Sequence, residues 1–306
     1  MTTDRRFGQA SHLPPVGRTD EDMVVRARQS NSKGRRLLSV GLALAACIWS
    51  GAAATASERT TAGVRYDVSF KGVTIAKGTL SVILEGEAYS VKVKMQPTGL
   101  ASLLTASKVD AEVDGAMDGG VLLPVKYSLL SVDPSDTTKV KMRLNKGRVT
   151  SLSALPPLDP APDRVDVTAA DKRDIIDPIS ASVLPMRRTG AAPTAADACN
   201  RTLPVFDGWS RYQVDLSAKG AERVRTPSFD GEAFVCSARW TPISGHRANS
   251  ESVAYLAKNR GLEAAFVPVG DAVLIPVRIE IETPHGVLSV NATDVKLQGV
   301  RLAQAK

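Results

Sequence analysis

CNRTLPVFDGWSRYQVDL, from Cys199 to Leu216, and FDGEAFVC, from Phe229 to Cys236, decide the fold of this chain. Tyr212, Val214 and Leu216 alternate with Gln213, Asp215 and Ser217. Period two over such a length is the mark of a strand with one apolar and one wet face. Asp207-Gly208 and Asp230-Gly231 favour the positive-φ backbone of tight hairpin turns. The stretch therefore reads as two hairpins inside one loop bounded by two cysteines.

The same alternation recurs outward in both directions. It governs Val64–Phe70, Tyr89–Met95, Val140–Leu144 and Val277–Ile281, where the intervening residues are mostly Ser, Lys, Arg, Asp or Glu. Turn signals separate these runs: Lys71-Gly72, Glu85-Gly86, Asn145-Lys146-Gly147 and Pro284-His285-Gly286. One-sided strands joined by short turns make antiparallel sheet, because parallel sheet is buried on both faces. The spacing predicts eleven to thirteen strands. The expected fold is all-β, an antiparallel curved sheet forming a barrel, half-barrel or spiral, with two or three short helices. The helices are expected over Gly99–Leu104, Asp177–Arg187 and Ser250–Arg260. Asp177 then serves as N-cap and Pro178 as the first helical residue, and this is the helix a curved sheet would wrap. Pro156 to Pro162 holds four prolines in seven residues. A loop over 155–165, dividing two sheet halves, follows, since proline cannot pair inside a sheet. Ala191–Ala198 reads as a second flexible stretch.

The chain divides into residues 1–56 and a single β-rich domain over 57–306. Arg35-Arg36 precede an apolar run, Leu37 to Ile48, and Ala54-Thr55-Ala56 offers a small-residue cleavage site. This is the pattern of a secretory signal, removed or retained as an anchor, with translation from Met23 as a variant. Two other readings of the same residues stay open: a lipoprotein box at Leu44-Ala45-Ala46-Cys47, with Cys47 lipidated, and a twin-arginine signal. A periplasmic location follows, with no stable transmembrane span once the signal is cleaved. Residues 1–56 carry eight basic and four acidic side chains, so +4 of the net +7 lies there and +3 in the rest. That balance, with aromatics at 5%, argues against a nucleic-acid partner. Of the three cysteines, Cys199 and Cys236 remain as a pair in the mature chain. In an oxidising compartment they read as a disulfide, with two buried thiols as the alternative.

Residues that carry chemistry are scarce. There is no nucleophile elbow, no phosphate-binding glycine loop and no paired-histidine metal motif. No catalytic residue, cofactor or metal site is assigned. His285 lies in a hairpin turn, and His246 follows Pro242-Ile-Ser-Gly245 as a buried histidine or part of a polar site. The densest polar cluster is Asp207, Trp209, Arg211 and Tyr212. It reads either as turn chemistry with an ion pair or as a recognition surface, where Trp and Arg are favoured.

The pattern Cys-x-Arg-Thr-Leu-Pro-Val-Phe-Asp-Gly-x-x-Arg-Tyr, from Cys199 to Tyr212, resembles the bacterial envelope family known as domain of unknown function 3108. Cys236 with Pro242–Gly245, the opening Arg65-Tyr66-Asp67-Val68, and Asp177-Pro178 belong to the same resemblance, which covers Val64 to Lys296. It implies an exported, mostly antiparallel, barrel-like or spiral β protein of alphaproteobacterial type, and no established reaction. Two functions are consistent with these readings. One is a periplasmic, non-catalytic binding or scaffold protein supporting envelope integrity. Its partner would be a lipid-like apolar ligand or an envelope protein. The other is an envelope-polymer hydrolase with a site assembled across strands and His246 or an acid as base.

Overall fold

The computed structural model describes residues 59–99, 108–133, 136–187 and 192–299. The targeting segment, Cys47 and the helix expected over Gly99–Leu104 lie outside the described residues, apart from Gly99 itself. Seven strands open the chain: β1 Arg59–Phe70, β2 Val73–Glu85, β3 Ala88–Pro97, β4 Lys108–Asp118, β5 Val121–Val132, β6 Thr137–Asn145 and β7 Arg148–Leu155. After the proline-rich loop come helix α1 Pro178–Ser182, the two-residue β8 Leu184–Pro185 and helix α2 Ala195–Cys199. The remainder is β9 Arg201–Phe206, β10 Arg211–Thr226, β11 Phe229–Ser244, helix α3 Glu251–Lys258, β12 Leu262–Val269, β13 Val273–Thr283 and β14 Gly286–Gln298.

All the strands belong to one antiparallel sheet in the order β7-β6-β5-β4-β3-β2-β1-β14-β13-β12-β11-β10-β9, with β8 paired to β13. Two meanders meet where β1 pairs with β14, Thr61 opposite Gln298. β7 and β9 are the two ends of the ladder, and they do not pair with each other. The chain between them fastens them instead. Val149 N–H donates to Lys172 O and Ile175 N–H to Gly147 O on the β7 side; Ile176 N–H donates to Pro204 O and Ile176 O accepts from Phe206 N–H on the β9 side. Lys172–Ile176 is thus a strap across the seam of an otherwise open sheet.

The inward side chains of both meanders form one cluster. Val82, Val91, Val113 and Val140 from one half and Ala265, Val267 and Ile275 from the other are wholly buried with Ile175 and Val183. Curvature is also legible in Arg278 of β13, which holds Glu222 of β10 at 3.0 Å. Three strand spacings of a flat sheet would separate them by about 14 Å. A second cluster covers the opposite face of β9 and β11–β13, where Leu184, Met186, Ala198 and Cys199 pack on Phe234, Cys236, Phe266 and Leu274. The one-sided pattern expected around Val277–Ile281 therefore gives way in β12 and β13 to strands buried on both faces. That is why LEAAFVPV and VLIPV read as near-continuous apolar runs.

Helix α1 makes contact with β3, β4 and β9, inside the curve of the sheet. It is shorter than expected and ends at Ser182, not Arg187. Pro185 explains the stop: it excludes the helical region for Leu184 and offers no N–H, so the chain turns extended and pairs with β13. Asp177 caps the helix as predicted, accepting from Ile179 N–H and Ser180 N–H. The stretch read as flexible, Ala191–Ala198, instead runs into α2, which a capping box closes. Thr194 accepts from Asp197 N–H while Asp197 accepts from Thr194 N–H. The β10–β11 turn is Pro227-Ser228, since Thr226 faces Phe229 and Asp230 faces Arg225. Asp230 lies within the ladder, ion-paired to Arg223 at 2.7 Å. Cys199 and Cys236 are joined as a disulfide, with Cα atoms 5.4 Å apart.

Candidate functional site

The corner between β9 and β10 is built by Asp207. Its carboxylate accepts from Trp209 N–H at 2.8 Å and Ser210 N–H at 2.7 Å, while its own N–H donates to Ser210 O. Burial pushes this carboxyl above its ordinary pKa, against the pull of those amides. The indole N–H of Trp209 donates to Pro156 O at 2.8 Å, reaching the chain just past the end of β7. A side chain on Gly208 would press on Val140 of β6. Asp207 and Trp209 therefore fasten the β9 end of the sheet to the β6–β7 end, alongside the strap.

Arg211 begins β10, opposite Phe206 on one side and Ser244 on the other. Burial lowers its pKa, while Asp171 and Asp174 act to raise it. Its Nη1 is buried without a hydrogen-bond partner among the described residues. Asp171 accepts from Thr168 N–H and Oγ1–H, both at 2.7 Å. Burial opposes these bonds, yet with Ser244 and the Arg211 charge they hold the carboxyl below its ordinary range. Tyr212 leaves this group: its ring packs on the second cluster and lies 5.9 Å from that of Trp240. Burial raises its phenol pKa.

His246 lies against the same corner. Gly245 N–H donates to Val165 O, Val165 N–H donates to His246 O, and Arg164 Nη1 donates to Gly245 O at 2.7 Å. A Cβ on Gly245 would collide with the Trp209 carbonyl. The imidazole Nδ1 is buried without a hydrogen-bond partner, a carboxylate included, among the described residues. His285 is exposed and its N–H donates to Thr283 Oγ1 in the β13–β14 turn.

The structure thus joins Asp207 and Trp209 at the seam, sets Arg211 in the field of Asp171 and Asp174, and packs Tyr212 on the second cluster with its phenol still within the field of Asp207. It adds contacts the sequence did not single out. Asp171 sits in a Thr-x-x-Asp turn, a local signal that was there to be read. Asp177 accepts from Ser180 Oγ–H at 2.6 Å, and the Tyr89 hydroxyl is 2.8 Å from the same oxygen, a link across 91 residues. Arg278 gathers Glu222, Glu263 and Glu280. Nothing in the sequence marks these long-range partners, because they depend on how far the sheet curls. Chemically the corner is a fastening. Its charged groups are engaged in turns and ion attractions, and no cluster of three or more metal-ligating side chains occurs among the described residues.

No curated protein matches this chain. Among solved structures, a β-barrel-like protein of domain of unknown function DUF1849 from Brucella abortus is similar at 8% sequence identity and a TM-score of 0.44. The match covers 78% of this chain and 98% of that one. The model of the protein family of unknown function DUF3108 matches residues 65–293, from the opening strand to the last, both cysteines and the corner included. The chain described here belongs to the DUF3108 family.

Proposed function

We propose that this protein is an exported, non-catalytic binding or scaffold protein of the cell envelope, working through its outer surface. One observation carries the reading. The inner face of the sheet is filled, with side chains of both meanders, Ile175 and Val183 packed into a single cluster. That favours a partner met from outside over an apolar ligand carried within. The Arg35–Ala56 pattern and the Cys199–Cys236 bond support export. The histidine form of the hydrolase reading would need His246 oriented by an acid, and its Nδ1 has no partner among the described residues.

Fractionation of producing bacteria tests this. The expected result is protein in the periplasmic fraction with Cys199 and Cys236 oxidised. Recovery in the cytoplasm with both thiols free overturns the export reading. Purified protein is expected to leave peptidoglycan and phospholipid unaltered. Turnover of either that is lost in His246→Ala overturns the non-catalytic reading.

A further inference from the structure

The outer face of β3 to β7 is unevenly charged. On β3 and β4 the outward residues neutralise each other: Lys92 pairs with Glu112 at 3.0 Å and Lys94 with Asp110 at 3.1 Å. β6 is different. Val140, Met142 and Leu144 point inward and are buried, so Lys139, Lys141 and Arg143 point outward. None of these three has an acid within ion-pairing distance among the described residues. Their cross-strand neighbours do not compensate them. Lys139 lies between Leu130 and Leu155, Lys141 between Ser128 and Ser153, and Arg143 between Lys126 and Ser151. Setting Arg143 opposite Lys126 on one face costs stability in the free protein.

The cations are fringed by aliphatic side chains. Leu130, Val132 and Leu155 are 40%, 43% and 53% exposed. A shallow groove of about 270 Å³ runs over Leu130, from Lys92 and Lys94 with their partners Glu112 and Asp110 on one side to Lys139 and Lys141 on the other. Unpaired lysines beside exposed aliphatics fit a surface that is anionic at one depth and apolar just beneath. Protein interfaces are depleted of lysine and enriched in aromatics, and single-stranded nucleic acid needs stacking platforms. No outward aromatic stands among these residues. A lysine's own chain is long enough to lie along an apolar boundary with its ammonium at the phosphates.

We propose that the outer face of β5–β7 is a docking surface for an anionic phospholipid bilayer. Lys139, Lys141 and Arg143 meet the phosphates, and Leu130, Val132 and Leu155 reach the acyl boundary. This deepens the envelope reading by naming a partner. The binding itself does not depend on that reading.

The test is co-sedimentation of the protein, in the form recovered from producing cells, with phosphatidylglycerol-containing vesicles and with pure phosphatidylcholine vesicles. Binding is expected to the first only and to weaken with salt. At about fivefold for each cation removed, Lys139→Glu with Lys141→Glu lowers partitioning roughly 25-fold or more. Leu130→Ser with Leu155→Ser also lowers it, at unchanged thermal stability. Lys258→Glu, on exposed helix α3, leaves it intact. Equal binding to both vesicles, or wild-type binding by the lysine variant, overturns the proposal. So does wild-type binding by the leucine variant with displacement by soluble polyphosphate, which would make the face a polyanion site. Cytoplasmic recovery of the protein would sink the envelope reading and leave the vesicle result standing.

Discussion

Asp177 is wholly buried and has two tasks: capping α1 and orienting Ser180 toward Tyr89. Burial raises its pKa, outweighing the hydrogen bonds from Ser180 and Ile179. A raised acid weakens the fold as pH climbs, because the unfolded chain ionises first. Asp177→Asn retains a capping oxygen and loses the charge, so near-native stability is expected at neutral pH. Asp177→Ala leaves the Ile179 and Ser180 amides without their acceptor and Ser180 Oγ with Tyr89 alone, at a cost of about 1–3 kcal/mol. Urea midpoints of the two variants, compared with wild type, decide it. Gly245 combines a φ of +81° with its approach to the Trp209 carbonyl. Gly245→Ala is expected to destabilise by more than the roughly 1 kcal/mol of an ordinary left-handed glycine, since the corner must also move. Thermal unfolding reads that directly.

Among the elements, the strap and the disulfide hold what strand pairing leaves open. Ile175 is 1% exposed and anchors the strap from inside. Ile175→Ala is expected to cost about 2–5 kcal/mol. It should also speed hydrogen exchange at Val149, Ile176 and Phe206, the amides that bind strap to edges or edge to strap. If those amides exchange no faster than in wild type, the strap does not hold the seam. Replacing Cys199 and Cys236 by serine opens a loop of 37 residues and removes about 4 kcal/mol, measurable as a fall in denaturant midpoint. The strands and most turns were legible because alternation and Gly-containing turns are local signals. Helix α1 was over-extended because Asp177-Pro178 marks a start clearly, while Pro185 acts on the residue before it. The β10–β11 turn lies elsewhere than the sequence suggests because Asp230-Gly231 mimics a hairpin tip three residues beyond the real one, Pro227-Ser228. The strap was not legible at all. Lys172–Ile176 has no pattern of its own, and its meaning comes only from the two edges it meets.

At the scale of the molecule, charge sets how the fold responds to acid. Hydrogen bonds from Ser228, Lys219 and Arg223 hold Asp294, Glu263 and Asp230 respectively below their ordinary pKa. A depressed acid contributes stability above its unfolded value, and that contribution disappears as pH falls toward its folded value. Stability is therefore expected to drop as pH descends below about 4, opposite in sign to the effect of Asp177. Unfolding midpoints across the acid range check this, and Asp294→Asn should flatten the slope. The sheet's topology bears on time as well as on energy. The middle of the ladder joins β1 to β14, with Arg65 opposite Asp294 across 229 positions. Contacts that distant form slowly, because a long loop must close before they are made. The first meander has no neighbour along β1 until β14 has been synthesised. Until that closure the inward valines of β1–β7 lack the side chains of β11–β14 that cover them, so the common core is completed only when the final strand docks.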